Sequence, residues 1–142
     1  MATPVTFADI QAAAQRIAGA VVDTPCPVSL PLSEVTGSKI YCKLEYLQRT
    51  GSFKERGARN ALLSLSNEQR QRGVIAASAG NHALGVAYHA QLLQIPATVV
   101  MPRFAPLTLF ADEIHERFQA AVEGAPTAAA FSLYRLCVAN EF

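Results

Sequence analysis

The sequence predicts an α/β fold, a parallel sheet with flanking helices, and three stretches carry that prediction. Gly73-Val74-Ile75-Ala76-Ala77 is a short, unbroken apolar run of the kind a strand buried on both faces requires. Ala97 to Met101 is a second strand, ended by Pro102. Between them, His82 to Gln94 is apolar on most sides, which suits a helix packed on two faces, and Ile95-Pro96 stops it. With Lys39 to Leu44 as a first strand and a helix from Ser52 to Leu65 before them, the order is strand, helix, strand, helix, strand, an α/β unit with a parallel sheet. Ligands of such sheets bind at the carboxyl ends of the strands.

Length and charge narrow the field. The 142 residues amount to about one domain, and 51% hydrophobic residues are enough for a core. A net charge of +1 gives no electrostatic reason to expect nucleic acid or an anionic membrane as partner. The three cysteines, Cys26, Cys42 and Cys137, are odd in number and lack CxxC spacing, which fits a reducing, cytoplasmic setting without a disulfide framework. The first residues lack a basic segment followed by an apolar run, and no stretch reaches transmembrane length.

From the N-terminus, Thr6 caps a helix, with Asp9 three residues on and Ile10, Ala13, Ala14 and Ile17 on one face. Pro25, Pro27 and Pro31 keep Asp23 to Leu32 extended or turned. Ser33 to Thr36 is one helical turn, closed by Gly37. Lys39 to Leu44 alternates, with Ile40, Cys42 and Leu44 on one side, and reads as a half-buried strand. Thr50-Gly51 turns the chain into a helix from Ser52 to Leu65, where Ser52 and Glu55 have capping-box spacing. Ser66 to Arg72 is a polar connector. Ser78 to Gly80 is the turn after the Gly73–Ala77 strand, and Asn81 caps the helix that follows. In the last 36 residues, Ala111 to Glu123 is an amphipathic helix and Thr127 to Val138 a second helical stretch.

Lys54 is the candidate for chemistry. Helical steps place it on the face of Ala58, Ala61, Leu62 and Leu65, at the positive end of the helix dipole. Burial and dipole both disfavour the ammonium form there, and a neutral lysine is a nucleophile and base. Most lysines, however, are solvated surface charges, and on position alone both readings stand. Other sites fail. Histidines 82, 89 and 115 and the cysteines have no zinc-ligand spacing, so no metal is expected. Neither GxGxxG nor GxxxxGK[ST] occurs. Arg56, Arg59, Arg70 and Arg72 read as a solvated face. His82 and His89 share a helix face as structural or capping residues, His82 being nearer the strand end.

Thr50-Gly51-Ser52-Phe53-Lys54-Glu55-Arg56-Gly57-Ala58 resembles the cofactor-lysine motif of the fold type II pyridoxal-phosphate enzymes, in particular the branch of threonine/serine dehydratases (ammonia-lyases) and serine racemase. Ser78-Ala79-Gly80-Asn81-His82-Ala83-Leu84-Gly85 is similar to that family's second signature. The resemblance runs from about Ala8 to Pro106. It implies a partial fold of the tryptophan synthase β type over residues 1–106, with 107–142 as a divergent helical tail. By the same resemblance Lys54 binds pyridoxal 5'-phosphate covalently, Phe53 packs beside it, and Asn81 meets its phenolic oxygen. Ser78, Ala79, Gly80, Asn81 and His82 take the substrate carboxylate. The implied reaction is β-elimination from threonine or serine, with Lys54 as the base at Cα, giving a 2-oxo acid and ammonia. The implied partner is that small hydroxy amino acid, and a homo-oligomer is compatible with the resemblance. The racemases place a serine base where this chain has Ala79, so racemisation by that route is not expected. The family's glycine-rich phosphate loop and its C-terminal serine or cysteine at the pyridine nitrogen are absent from this sequence. A frameshifted, truncated or alternatively spliced product would have this form, weak or inactive alone; a non-catalytic remnant that binds a full-length relative, or a related fold type II racemase or β-replacing synthase, are the alternatives.

Overall fold

The structure, a computed structural model, describes residues 4–102 and 131–136, the latter as backbone. Helix α1 (Phe7–Ile17) starts as expected: Thr6 Oγ1 accepts from the Asp9 amide, and Asp9 Oδ2 accepts from the Thr6 amide. Helix α2 (Leu30–Thr36) begins three residues earlier than the sequence predicts, because a proline in the first turn gives up only an N–H that has no helical partner. It ends on Gly37 at φ 66°.

The strand expected at Lys39–Leu44 does not form. This segment runs antiparallel to residues 25–29, and the amides of Cys42 and Leu44 donate to Pro27 and Pro25. Neither proline has an N–H to return the bond, so the contact reduces to a single bridge, Val28 with Tyr41. A short 3-10 turn, Glu45–Leu47, then leads to helix α3 (Lys54–Leu63) and helix α4 (Asn67–Arg72). Helix α4 replaces the connector read from the sequence. Its capping box is Ser66 with Gln69, and Gly73 closes it at φ 81°.

Strand β1 (Val74–Ala77), helix α5 (Asn81–Leu92) and strand β2 (Ala97–Pro102) form the predicted parallel unit, with Val74 opposite Ala97 and Ala77 opposite Val100. The core lies between this pair and the helices: Ala58 and Leu62 of α3, Val86 and Ala90 of α5, then Ile95 and Ala97. Strand β3 (Phe131–Leu136) is antiparallel to β2 on its other side, so the order is β1-β2-β3. The helical stretch expected at Thr127–Val138 is therefore a strand where it is described, and Tyr134 pairs with Val99 in the sheet. The β-branched and aromatic side chains of β2 and β3 favour a pleated ladder over a helix. The helix expected at Ala111–Glu123 lies outside the described residues.

Candidate functional site

Lys54 opens α3, and its neighbours fix where it points. The buried stripe of α3 is Glu55, Ala58 and Leu62, one residue out of phase with the face predicted to hold Lys54. A helix turns 100° per residue, so anchoring Glu55 inward turns Lys54 outward, and Lys54 is exposed. Its amine lies 5.0 Å from the centroid of the Phe53 ring, itself 60% exposed, and makes no ion pair among the described residues. The predicted capping box is not made. Ser52 Oγ accepts from the Lys54 amide at 3.3 Å, while Glu55 Oε2 accepts from the amide and hydroxyl of Thr50 at 2.9 and 3.1 Å.

The turn before Lys54 is clamped from outside as well. Arg56 donates to Glu45 through Nε (2.8 Å) and Nη2 (2.7 Å), and also to the Val22 carbonyl. Glu45 accepts from Thr24 Oγ1 at 2.6 Å, and the buried Gln48 pairs with both backbone groups of Val22. The Arg56 guanidinium, helped by the Thr24 hydroxyl, draws the Glu45 carboxyl down to about 2. Arg56 is thus part of a forked, half-buried pair and not of a solvated face. Arg70 likewise turns inward, donating to the carbonyls of Leu63, the last residue of α3, and of Leu65 just beyond it. Sequence reasoning missed these ties because they join residues without helical or strand spacing.

His89 of α5 is fully buried with its Nε2 3.3 Å from Glu55 Oε1. The N–H direction does not complete a hydrogen bond, and both ring nitrogens and Glu55 Oε1 lack one. Burial lowers the His89 pKa, against the opposing pull of Glu55. His82, the more interesting histidine by sequence, is exposed.

Ser78 to Gly80 follow β1, and α5 begins at Asn81 with Gly80, not Asn81, at the cap position. No side chain caps this start; the Gly80 amide leans on Ser78 Oγ at 3.4 Å. Among the described residues the amides of Asn81, His82 and Ala83 have no acceptor. Free amides at a helix start favour an anion. One turn on, a methyl built on Gly85 would lie 3.4 Å from the Lys54 carbonyl carbon and the Glu55 amide, so the two helix starts pack side by side. An unpaired amine, an exposed amide (Asn81) and free helix-start N–H groups are the donors that an aromatic aldehyde with anionic substituents needs. The residues present fit the ring and aldehyde end of pyridoxal phosphate.

Fold and geometry together define an α/β protein in which an exposed lysine and an uncapped helix start lie on adjacent helices. The comparisons make this specific. A family model described as pyridoxal-phosphate dependent enzyme matches residues 17–128, and the chain belongs to that family. It is 57% identical over 104 residues to the L-threonine ammonia-lyase of Thermotoga maritima, covering 73% of this chain and 26% of the relative. It is 48% identical over 103 residues to a catabolic L-threonine dehydratase of Escherichia coli K12, covering 72% and 31%. Among solved structures it is similar to the serine racemase of Dictyostelium discoideum (TM-score 0.70, 39% identity, 74% of this chain and 34% of that one). It is also similar to the processed form of threonine deaminase isoform 2 from Solanum lycopersicum (TM-score 0.60, 36% identity, 77% and 33%). The chain spans about a quarter to a third of the length of the curated relatives it matches. Among the described residues no helix is long and apolar enough to cross a membrane.

Proposed function

We propose that this chain carries the lysine-bearing portion of a cytoplasmic fold type II threonine/serine ammonia-lyase, with residues 1–106 as the shared fold, acting on a hydroxy amino acid to give a 2-oxo acid and ammonia. The supporting observation is the start of α3, which carries the exposed Lys54, packed through its backbone against α5 one turn from the uncapped start of that helix. Lys54 and Asn81 would hold the cofactor, with Phe53 against it, and Ser78 to His82 would receive the substrate carboxylate. When bound, pyridoxal phosphate supplies an electron sink for the carbanion at the substrate Cα. Lys54 removes the Cα proton, and the free amides of Asn81 to Ala83 hold the carboxylate. Cys26 and Cys42, unpaired among the described residues, support a reducing compartment.

On this reading the chain by itself turns over slowly. A phosphate dianion needs several N–H donors at about 1.5–3 kcal/mol each, and the eight glycines are scattered with no glycine-rich loop among them. The test is 2-oxobutanoate release from L-threonine with excess cofactor, comparing this chain with Lys54→Ala. Slow release abolished in the variant supports the reading; release that survives Lys54→Ala overturns it. A second reading, a non-catalytic partner of a full-length relative, is favoured by Ile75, 77% exposed on the sheet face away from α5, where parallel sheets are normally covered. Co-elution with a full-length relative that Ile75→Lys abolishes is its expected signature.

A further inference from the structure

The fold contains a buried carboxyl–imidazole pair that the reaction does not use. Glu55 and His89 are both 0% exposed, and three of their polar atoms have no hydrogen-bond partner. Such pairs are costly, and apolar side chains of similar volume are often neutral or better for stability. Here the pair occupies the seam between α3 and α5, and Glu55 is the residue next to Lys54. We propose that Glu55 and His89 are positioning residues that set the direction of the Lys54 amine relative to the start of α5. This rests on the reading of Lys54 as the cofactor amine.

The geometry gives the route. Glu55 Oε2 binds the amide and hydroxyl of Thr50, which fixes the turn preceding α3, and Oε1 faces His89 Nε2 at 3.3 Å. The carboxylate thereby sets the rotation of α3 about its axis, and with it the outward angle of Lys54 one residue earlier. His89 lies two turns along α5 from Asn81, so the same contact ties the lysine turn to the helix whose start receives the anion. The charged and titratable groups around His89 are Glu55 and Arg59 from α3, Arg49 from the preceding turn, and Tyr88, which accepts from Arg49 at 2.8 Å. Protonating the imidazole adds a second cation beside Arg59 in a buried seam and pulls on the Glu55 contact.

The chain has three lysines, Lys39, Lys43 and Lys54, so two serve as internal references. The experiment is reductive amination with pyridoxal 5'-phosphate and cyanoborohydride on the full chain, mapped by peptide mass spectrometry, with circular dichroism to show that each variant is folded. In the unaltered chain Lys54 is labelled in excess over Lys39 and Lys43. In Glu55→Gln and His89→Gln that ratio falls roughly tenfold, since small misplacements of a reacting group cost that much or more. Thr50→Val, a milder change at a half-buried position, lowers it less and covers the case in which a buried variant does not fold. The ratio also declines below neutral pH in the unaltered chain and not in His89→Gln, a dependence that a purely structural pair would not impose on one lysine. A ratio near one in the unaltered chain overturns the reading of Lys54 and this proposal with it. A high ratio that all three variants leave unchanged overturns the positioning pair alone.

Discussion

The two helix starts that meet at Gly85 are built in opposite ways. The start of α3 is tied down on every side: Glu55 to Thr50, Arg56 to Glu45, Gln48 to Val22. Among the described residues the start of α5 has almost no side-chain partner, only the long contact from the Gly80 amide to Ser78. The difference separates two requirements. On the proposed reading, a covalent attachment point must be held at one angle, and an over-determined turn does that. A receptor for an anion must keep its donors unspent, and an uncapped turn does that, at a cost in helix stability that a ligand would offset.

If the clamp is what fixes α3, breaking it gives the largest effect. Glu45→Ala leaves Arg56 half-buried without its carboxylate and costs about 3 kcal/mol of unfolding free energy, measured by urea denaturation. The pH sign follows from the depressed value. The folded Glu45 titrates near 2 and the unfolded one near 4.5, so its contribution is complete above 4.5 and is lost as the pH falls from there toward 2. Glu45→Gln flattens the stability profile in that window.

Forcing the two starts apart is next. Gly85→Leu places a side chain where even a methyl already touches Ala58 Cβ, Glu55 and Lys54, and it costs about 2 kcal/mol by overpacking. Gly85→Ala fits the ordinary contact distances and stays near neutral in thermal unfolding. The His89 prediction is smaller and pH-dependent. Because burial lowers its folded pKa, the unfolded chain takes the proton first as pH falls through 6.5. Stability is therefore full above 6.5 and declines below it by at most about 1.4 kcal/mol per pH unit. His89→Gln removes that slope.

The smallest change in stability carries the sharpest functional contrast. Gly80→Asp supplies the cap that α5 lacks and raises stability by a few tenths of a kcal/mol. It also places a carboxylate against the free amides, so binding of an anionic amino acid analogue, followed by calorimetry, is lost. Retained binding would show that the α5 start is not the receptor.

What could be read from the sequence was what is local. The parallel unit was visible because the apolar runs at 73–77 and 97–101 and the helix between them are periodic, and Thr6 with Asp9 is a capping pair at fixed spacing. Helix α4 had the same signature in Ser66 and Gln69, overlooked for its polarity. The face of Lys54 was misjudged by one residue because Glu55, a carboxylate, was not expected inside; only Thr50 and His89 make that position tolerable, and His89 lies 34 residues away. The same distance in sequence hid the Arg56–Glu45 clamp. The strand at 39–44 failed on a detail the sequence did contain, the missing donors of Pro25 and Pro27, once their pairing with that segment is known. The pairing of β3 with β2 had no pattern to announce it, since an edge strand is chosen by its neighbour.

On the ribosome the chain emerges N-terminus first, and the clamp around the lysine is written early. Val22, Thr24, Glu45, Gln48 and Arg56 are all synthesised, and all leave the tunnel, ahead of every residue of β1. Domains assemble in that vectorial order, and contacts of short sequence separation close at low entropic cost. The nascent polypeptide therefore carries the groups that frame Lys54 while helix α5 is still unmade, and His89 arrives later to a turn whose shape is already given.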